Sequence, residues 1–383
     1  MSVLFPDKKI AIVHDWLNGM RGGEKCLEVF CEIFPQAHLY TLIHEQGKLS
    51  DVIEAMDIRT SALQKIPGGL THYRHFLPLM PKLVEQFKLD DYDIILSSSH
   101  CVAKGISYAD HPFHISYVHA PMRYMWHLFD TYFSQEKVGW GVRLAALTAR
   151  PMLQKWDVET SSRVHALLSN SQNVRKQIQK YYYRDAQVIY PPVDLEQYYP
   201  GGTKQRYYLM VGAFAPNKRT DLAIKAFNRA GYPLRIAGTG QEEAYCRSIA
   251  SANIEFLGNV SDDELRILYQ EARAFIFPGE DDFGITPLEA QACGTPVIAF
   301  GAGGALETVT EQTGIFFYET NDSALYEAIE QMEDNWKNFD PHACVLNATR
   351  FGRERFKMQM SHAVEFGYQQ WKQRSGKSKS PLP

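Results

Sequence analysis

Two carboxylates eight positions apart, Asp281 and Glu289, flank Gly284 in the stretch FIFPGEDDFGITPLEAQACGTPVIAFGAGGALETV, which runs from Phe275 to Val309. Gly284 leaves the backbone open to close approach, and a helix starting after it presents unpaired N–H groups that suit a phosphate. Carboxylates repel a phosphate but accept hydrogen bonds from sugar hydroxyls. An anion site between two hydroxyl acceptors fits a nucleotide sugar. Upstream, Lys218 and Arg219 stand between a strand-like run, Tyr208–Val211, and a helical pattern. Adjacent cations there suit a nucleotide diphosphate and the charge that grows on it as it leaves. His119 closes another strand-like run, His114–Val118. An imidazole at that point can donate to a sugar hydroxyl or stabilise developing charge. Arg123, four residues further on, is a candidate for holding a phosphate.

Structural readings stand beside these. Thr286-Pro287-Leu288-Glu289 has the form of a capping box with proline in the first turn, which would make Glu289 a helix cap. Gly22-Gly23 could bring backbone amides to a diphosphate or an acceptor, or could form a plain tight turn. Asp91-Tyr92-Asp93 has the look of a metal-binding pair, but it precedes the strand Ile94–Leu96. That is the amino end, where ligands of parallel sheets do not bind, so it reads as a solvated turn.

The elements around these residues repeat one unit. Ile10–Val13 is a buried strand followed by a glycine turn and a helix from Cys26 to Phe34. Phe275–Phe277 leads through an acidic turn to a helix opening near Pro287. A strand, Pro296–Phe300, follows, then the turn Gly301-Ala302-Gly303-Gly304. Strand, turn and helix in succession predict parallel α/β sheets with ligands at the carboxyl ends of the strands. The length of 383 residues allows two such domains. Pro191-Pro192 stiffens a crossing, and the expected division is 1–198, 199–350, a helix over 351–374 and a disordered tail over 375–383.

Composition narrows the function classes. The six cysteines have no Cys-x-x-Cys spacing and form neither a disulfide framework nor a zinc site. No run of about 18 apolar residues exists to span a membrane, and the short lead into Ile10 does not read as a signal peptide, so a cytoplasmic location is expected. The net charge of −4 hides a basic first half. Residues 59–89 carry five Lys/Arg against Glu85 alone, and residues 137–184 carry nine against Asp157 and Glu159. Together with the mixed aromatic and basic segment Leu70–Lys82, these suggest contact with an anionic membrane surface. The rival account of Leu70–Lys82 is a kinked, half-buried helix. No nucleic-acid motif accompanies the charge, and nucleic acid is not an expected partner.

The wider stretch resembles glycosyltransferase family 4, whose members are retaining enzymes of the GT-B fold. The resemblance rests on Phe283-Gly284, Leu288-Glu289-Ala290 and Ala292–Ile298, with Asp281 where the family has glutamate and Glu280 beside it. Lys218 matches the family's lysine, and Ala213 replaces its arginine, whose role Arg219 is a candidate to take. The resemblance implies two Rossmann-like domains facing a cleft, with a C-terminal helix returning to the first. It implies Gly22, Gly23, Lys218, Arg219, Phe283, Gly284 and Ile285 at the donor diphosphate, Glu289 at the ribose, and the loops at Gly238 and Val260 around the base. His119 and Asp281 would meet the transferred sugar. No cofactor and no metal is implied. The pattern Tyr117–Tyr124 with Pro216-x-Lys218-Arg219 looks most like bacterial O-antigen and exopolysaccharide mannosyltransferases, which points to GDP-mannose and a lipid-linked glycan at the inner face of the cytoplasmic membrane. A UDP-sugar donor, a GT-B isomerase or phosphorylase, and a non-catalytic nucleotide-sugar sensor remain as alternatives.

Overall fold

The computed structural model describes residues 3–109, 112–133 and 138–377. The chain forms two bodies: residues up to Pro191 with those from Phe356 onward, and Pro192–Arg355. The tail beyond 377 lies outside the described residues.

The first body is built on a seven-stranded parallel sheet. Its strands are β1 Ile10–His14, β2 His38–Thr41, β3 Asp57–Thr60, β4 Ile94–Ser99, β5 Phe113–Val118, β6 Ala166–Ser169 and β7 Gln187–Val188, in the order β3-β2-β1-β4-β5-β6-β7. Both faces are covered, which is why the central strands read as near-continuous apolar runs. Ile10 and Ile12 enter one core with Phe30 and Ile33 of the helix Gly22–Ile33. Ala11 and Val13 enter the other with Tyr40, Met80 and Leu153. The last helix, Arg353–Lys377, puts Phe356, Met360, Ala363 and Val364 into the first of these cores, with Phe356 against Phe30 and Tyr117.

The second body carries a six-stranded parallel sheet: β8 Tyr208–Val211, β9 Leu234–Ala237, β10 Ile254–Gly258, β11 Phe275–Phe277, β12 Val297–Phe300 and β13 Gly314–Phe317, ordered β10-β9-β8-β11-β12-β13. In both sheets the strand order reverses at the centre, beside β1 and β4 in the first and beside β8 and β11 in the second. Loops at the carboxyl ends of such a pair diverge and leave a crevice for a ligand.

Two boundaries differ from expectation. The helix after β1 begins at Gly22, so both glycines lie in its first turn; the Glu24 carboxylate accepts from the Arg21 N–H at 3.1 Å and starts it early. The helix after β11 runs Ile285–Ala292, with Gly284 as its cap at φ 91°. Thr286 therefore caps nothing, because a glycine in the left-handed region has already turned the chain into the helix. Asp93 is held by Lys8 Nζ at 3.1 Å and the Lys9 N–H at 3.0 Å, at the amino end of β4.

Candidate functional site

In the first body the carboxyl ends of β1, β4 and β5 deliver His14, Ser98 and His119 to one place. His14 Nδ1 lies 3.0 Å from Ser98 Oγ, and the same Oγ lies 2.9 Å from His119 Nε2. His14 Nε2 is 3.4 Å from Glu24 Oε1 in the first turn of the helix. Gly23 stands over this row: a side-chain carbon there would sit 3.7 Å from His14 Cε1 and 3.9 Å from the His119 ring. The sequence thus pointed to Gly23 and His119, and the structure joins them.

Burial and the neighbouring His100 and His14 push His119 well below the usual histidine range, so its imidazole is neutral. The Asn170 amide donates to the His119 carbonyl at 2.9 Å and fixes the strand end. Asp15, next along from His14, is a buried anchor. Its Oδ2 accepts from the N–H groups of His100 and Cys101 at 2.7 and 3.0 Å, and its Oδ1 from those of Val102 and Ala103 at 2.6 and 2.8 Å. His100 Nδ1 adds a contact at 3.0 Å. Burial raises this carboxyl, but the hydrogen bonds and the charges of His100 and His14 outweigh it and hold the pKa below the usual range. Arg123 follows in the loop after β5, half-buried and near enough to act on His119.

In the second body Lys218 and Asp281 pair, Nζ against Oδ2. Lys218 ends a short 3-10 turn before the helix Thr220–Ala230, and its ammonium also lies 5.9 Å from the centre of the Phe277 ring at the end of β11. Arg219 turns elsewhere, to Asp221 Oδ1 at 3.3 Å in its own helix, so the two adjacent cations do not converge. The acidic turn is folded against the glycine turn after β12. The Gly304 N–H donates to the Asp281 carbonyl at 2.8 Å, and a side-chain carbon on Gly304 would fall 2.2 Å from Phe283 Cα. Glycines there are a requirement of the close approach. Glu280 is exposed along Gly303, and partial desolvation with Asp282 and Asp281 beside it raises its carboxyl above the usual range.

Glu289 is buried five residues into the helix that Gly284 opens, and Tyr269 Oη donates to its Oε2 at 3.0 Å. Phe283 is buried and packs on Phe351, while Ile285 is half-buried at the first helical position. Gly238 closes β9 at φ 134° against the Gly212 carbonyl, and Val260 lies half-buried just beyond β10.

Sequence models identify this arrangement. Residues 35–197 match the model described as Glycosyltransferase Family 4, and residues 195–350 the one described as Glycosyl transferases group 1. The chain belongs to glycosyltransferase family 4. Among curated relatives of this family 4 chain is the GDP-mannose-dependent monoacylated alpha-(1-6)-phosphatidylinositol monomannoside mannosyltransferase of Corynebacterium glutamicum, 35% identical over 31% of this chain and 36% of that protein. Another is the O-antigen chain mannosyltransferase RfbU of Salmonella typhimurium, 31% identical over 45% of this chain and 53% of that protein. The chain thus spans about a third to a half of the curated relatives it matches. The structure of HepE from Anabaena in complex with UDP superposes with a TM-score of 0.69 at 15% identity, covering 93% of this chain and 99% of that one. The two parallel-sheet, Rossmann-like domains are those of GT-B glycosyltransferases.

The candidate site brings in residues that the motifs did not single out for a role: His14, Asp15, Glu24, Ser98 and His100. Each lies at the carboxyl end of a buried strand or in the helix turn facing it. The signal was a polar residue ending an apolar run next to the point where the sheet order reverses.

Proposed function

We propose that this chain is a retaining, metal-independent transferase that moves mannose from GDP-mannose to a lipid-linked glycan at a membrane surface. The observation that carries the reading is the Lys218–Asp281 pair at the mouth of the helix opened by Gly284, with Glu289 buried behind it. The helix N–H groups and Lys218 would neutralise the diphosphate, which removes the need for a divalent cation. Glu289, oriented by Tyr269, would accept from the ribose hydroxyls. Glu280 and Asp281 are the acceptors nearest the glycine turn for the sugar hydroxyls. Gly22, Gly23, Arg123 and His119 would serve the sugar and the acceptor. In front-face transfer the bond from the anomeric carbon to phosphate oxygen breaks, and the bond to the acceptor oxygen forms on the same face. The acceptor's proton passes to the departing phosphate, whose growing charge Lys218 meets. The names of the relatives support mannose and GDP; HepE, solved with UDP, supports the fold alone.

The membrane part of the reading has an apolar surface to draw on beside the basic segments expected. Arg143 donates to the Phe133 carbonyl, and Arg150 donates to the Met125 carbonyl at 2.9 Å while lying over Phe129. Arg175 pairs with Asp185 at 2.7 Å, and Arg163 reaches Glu85 at 3.6 Å. Four of the nine cations in residues 137–184 thus have partners within the fold. Between Trp140 and Met152 the helix Trp140–Ser161 exposes Trp140, Val142, Leu144, Leu147 and Met152, of which Trp140, Leu144 and Leu147 share one uncharged face by their spacing. Such a face inserts at the boundary of head groups and acyl chains.

Thermal denaturation with GDP, UDP, ADP or TDP, one per sample, tests the donor. A ligand at about 100 times its Kd stabilises by roughly 2.7 kcal/mol. A shift with GDP alone is expected; a shift with UDP alone would overturn the sugar and keep the site.

A further inference from the structure

Four buried polar side chains in the first body form one unbranched row: Glu24, His14, Ser98 and His119. Serine has a single proton, so Ser98 can donate to only one of its two histidines and must accept from the other. The direction of every hydrogen bond in the row is therefore tied to its neighbours.

The direction is set at the Glu24 end. The hydrogen bond from His14 holds the Glu24 carboxyl below its usual range against the effect of burial, so it is ionised and only accepts. Facing an acceptor, His14 Nε2 carries its proton. With its one ring proton on Nε2, His14 has a bare Nδ1, and Ser98 donates to it at 3.0 Å. The Ser98 oxygen consequently accepts from His119 Nε2–H at 2.9 Å. His119 is neutral, so its Nδ1 is a lone pair, and among the described residues that nitrogen has no protein partner.

We propose that Glu24 is a positioning residue. Through His14 and Ser98 it keeps the proton of His119 on Nε2 and leaves Nδ1 as an acceptor for a sugar hydroxyl. This rests on the transferase reading of His119. The charged and titratable groups facing the row are Glu24 from the helix, Asp15 from the end of β1, His100 from the loop after β4 and Arg123 from the loop after β5.

Glu24→Gln tests the row with little change of shape. The introduced carbonyl keeps the Arg21 N–H, and the introduced NH2 group faces His14 Nε2, where it can only donate. That reverses each bond down to His119. Nitrogen-15 spectra of histidine-labelled full-length protein, with His119→Ala to assign the signals, report which ring nitrogen is protonated. The expected result is Nε2 in the native chain and Nδ1 in Glu24→Gln, with kcat lowered about tenfold to a hundredfold, donor KM within about twofold and Glu24→Asp partly restoring turnover. Ser98→Ala provides the second variant: it cuts the row, so adding Glu24→Gln to Ser98→Ala no longer changes which His119 nitrogen is protonated. The same protonated nitrogen in the native chain and in Glu24→Gln would overturn the proposal while leaving the transferase reading intact. Unchanged turnover in His119→Ala would overturn the sugar-facing role together with the reading beneath it.

Discussion

Lys218 and Asp281 neutralise each other, Nζ against Oδ2, although the two are proposed to meet different parts of the donor. The ammonium that would meet the diphosphate is held by a carboxylate that stands in for it. Both side chains are partly exposed, so the pair itself adds little to stability. Its consequence is for binding, because a diphosphate must displace Asp281 from Lys218. Asp281→Asn is expected to tighten GDP binding about two- to fivefold, roughly 0.4–1 kcal/mol, while lowering turnover with the nucleotide sugar. Lys218→Ala should weaken GDP binding by at least about tenfold, or roughly 1.4 kcal/mol. Calorimetric titration with GDP gives both numbers. Weaker GDP binding in Asp281→Asn would show that the carboxylate assists the diphosphate.

Glu289 is buried and receives the Tyr269 hydroxyl at 3.0 Å. Tyr269→Phe removes one hydrogen bond to a carboxylate, and a loss of about 1.5–3 kcal/mol in stability is expected. Glu289→Ala should raise the donor KM at least about tenfold with a smaller effect on kcat, since a ribose contact is made equally in the ground and transition states. Steady-state kinetics separate the two effects, and equal losses in kcat and kcat/KM would place Glu289 at the reacting sugar.

Gly284 holds φ at 91°, and a side-chain carbon there would meet the Phe277 ring at 3.1 Å. Gly284→Ala should therefore destabilise the second body by about 1–3 kcal/mol and lower GDP affinity as well. Urea denaturation with and without GDP measures both. Unaltered stability would mean that the turn relaxes without strain.

Most of the architecture was legible because both sheets are parallel and buried on two faces, so strands such as Ile94–Ser99 and Phe275–Phe277 stand out as apolar runs punctuated by glycine turns. The donor half of the site was legible for a related reason: Gly284, Gly303 and Gly304 are forced by backbone geometry, and such positions leave a mark in one dimension. The row Glu24–His14–Ser98–His119 was not, because it joins residues up to 105 positions apart that only sheet order β1-β4-β5 brings together. The direction of Arg143 and Arg150 was hidden for the opposite reason. A helix pattern gives the spacing of cations and says nothing of the backbone carbonyls they reach.

Asp15 ties stability to pH. Its pKa in the folded chain lies below the unfolded value of about 3.9, so its contribution is fully present above that value and is lost as the pH falls through the folded one. Glu24 acts in the same direction. Unfolding followed from about pH 6 down to about pH 2 should show stability falling steeply once the pH drops below about 4. Asp15→Asn should be less stable near neutrality and flatter over that range, because an amide cannot accept from four N–H groups and does not titrate there. An unchanged acid slope in Asp15→Asn would assign the acid sensitivity to other carboxylates.

The exposed face of the helix Trp140–Ser161 makes a prediction about salt. A surface held to a membrane by lysine and arginine loses affinity as the Debye length shrinks from about 10 Å at 0.1 M to about 3 Å at 1 M. Trp140, Val142, Leu144, Leu147 and Met152 carry no charge, and Arg143 and Arg150 are engaged with carbonyls of the loop before the helix. Binding to vesicles of mixed neutral and anionic lipid should therefore fall less than about threefold over that range of salt. Replacing Trp140 and Leu144 together by serine removes two large apolar side chains worth about 1.5–3 kcal/mol each when fully buried. The double variant should lose at least about tenfold in vesicle affinity, since insertion buries these side chains only in part. Its thermal stability should stay near that of the native chain, because neither side chain enters the core. Cosedimentation with vesicles at both salt concentrations decides the matter. Strong salt dependence with no effect of the double replacement would return the contact to the basic segments of residues 59–89.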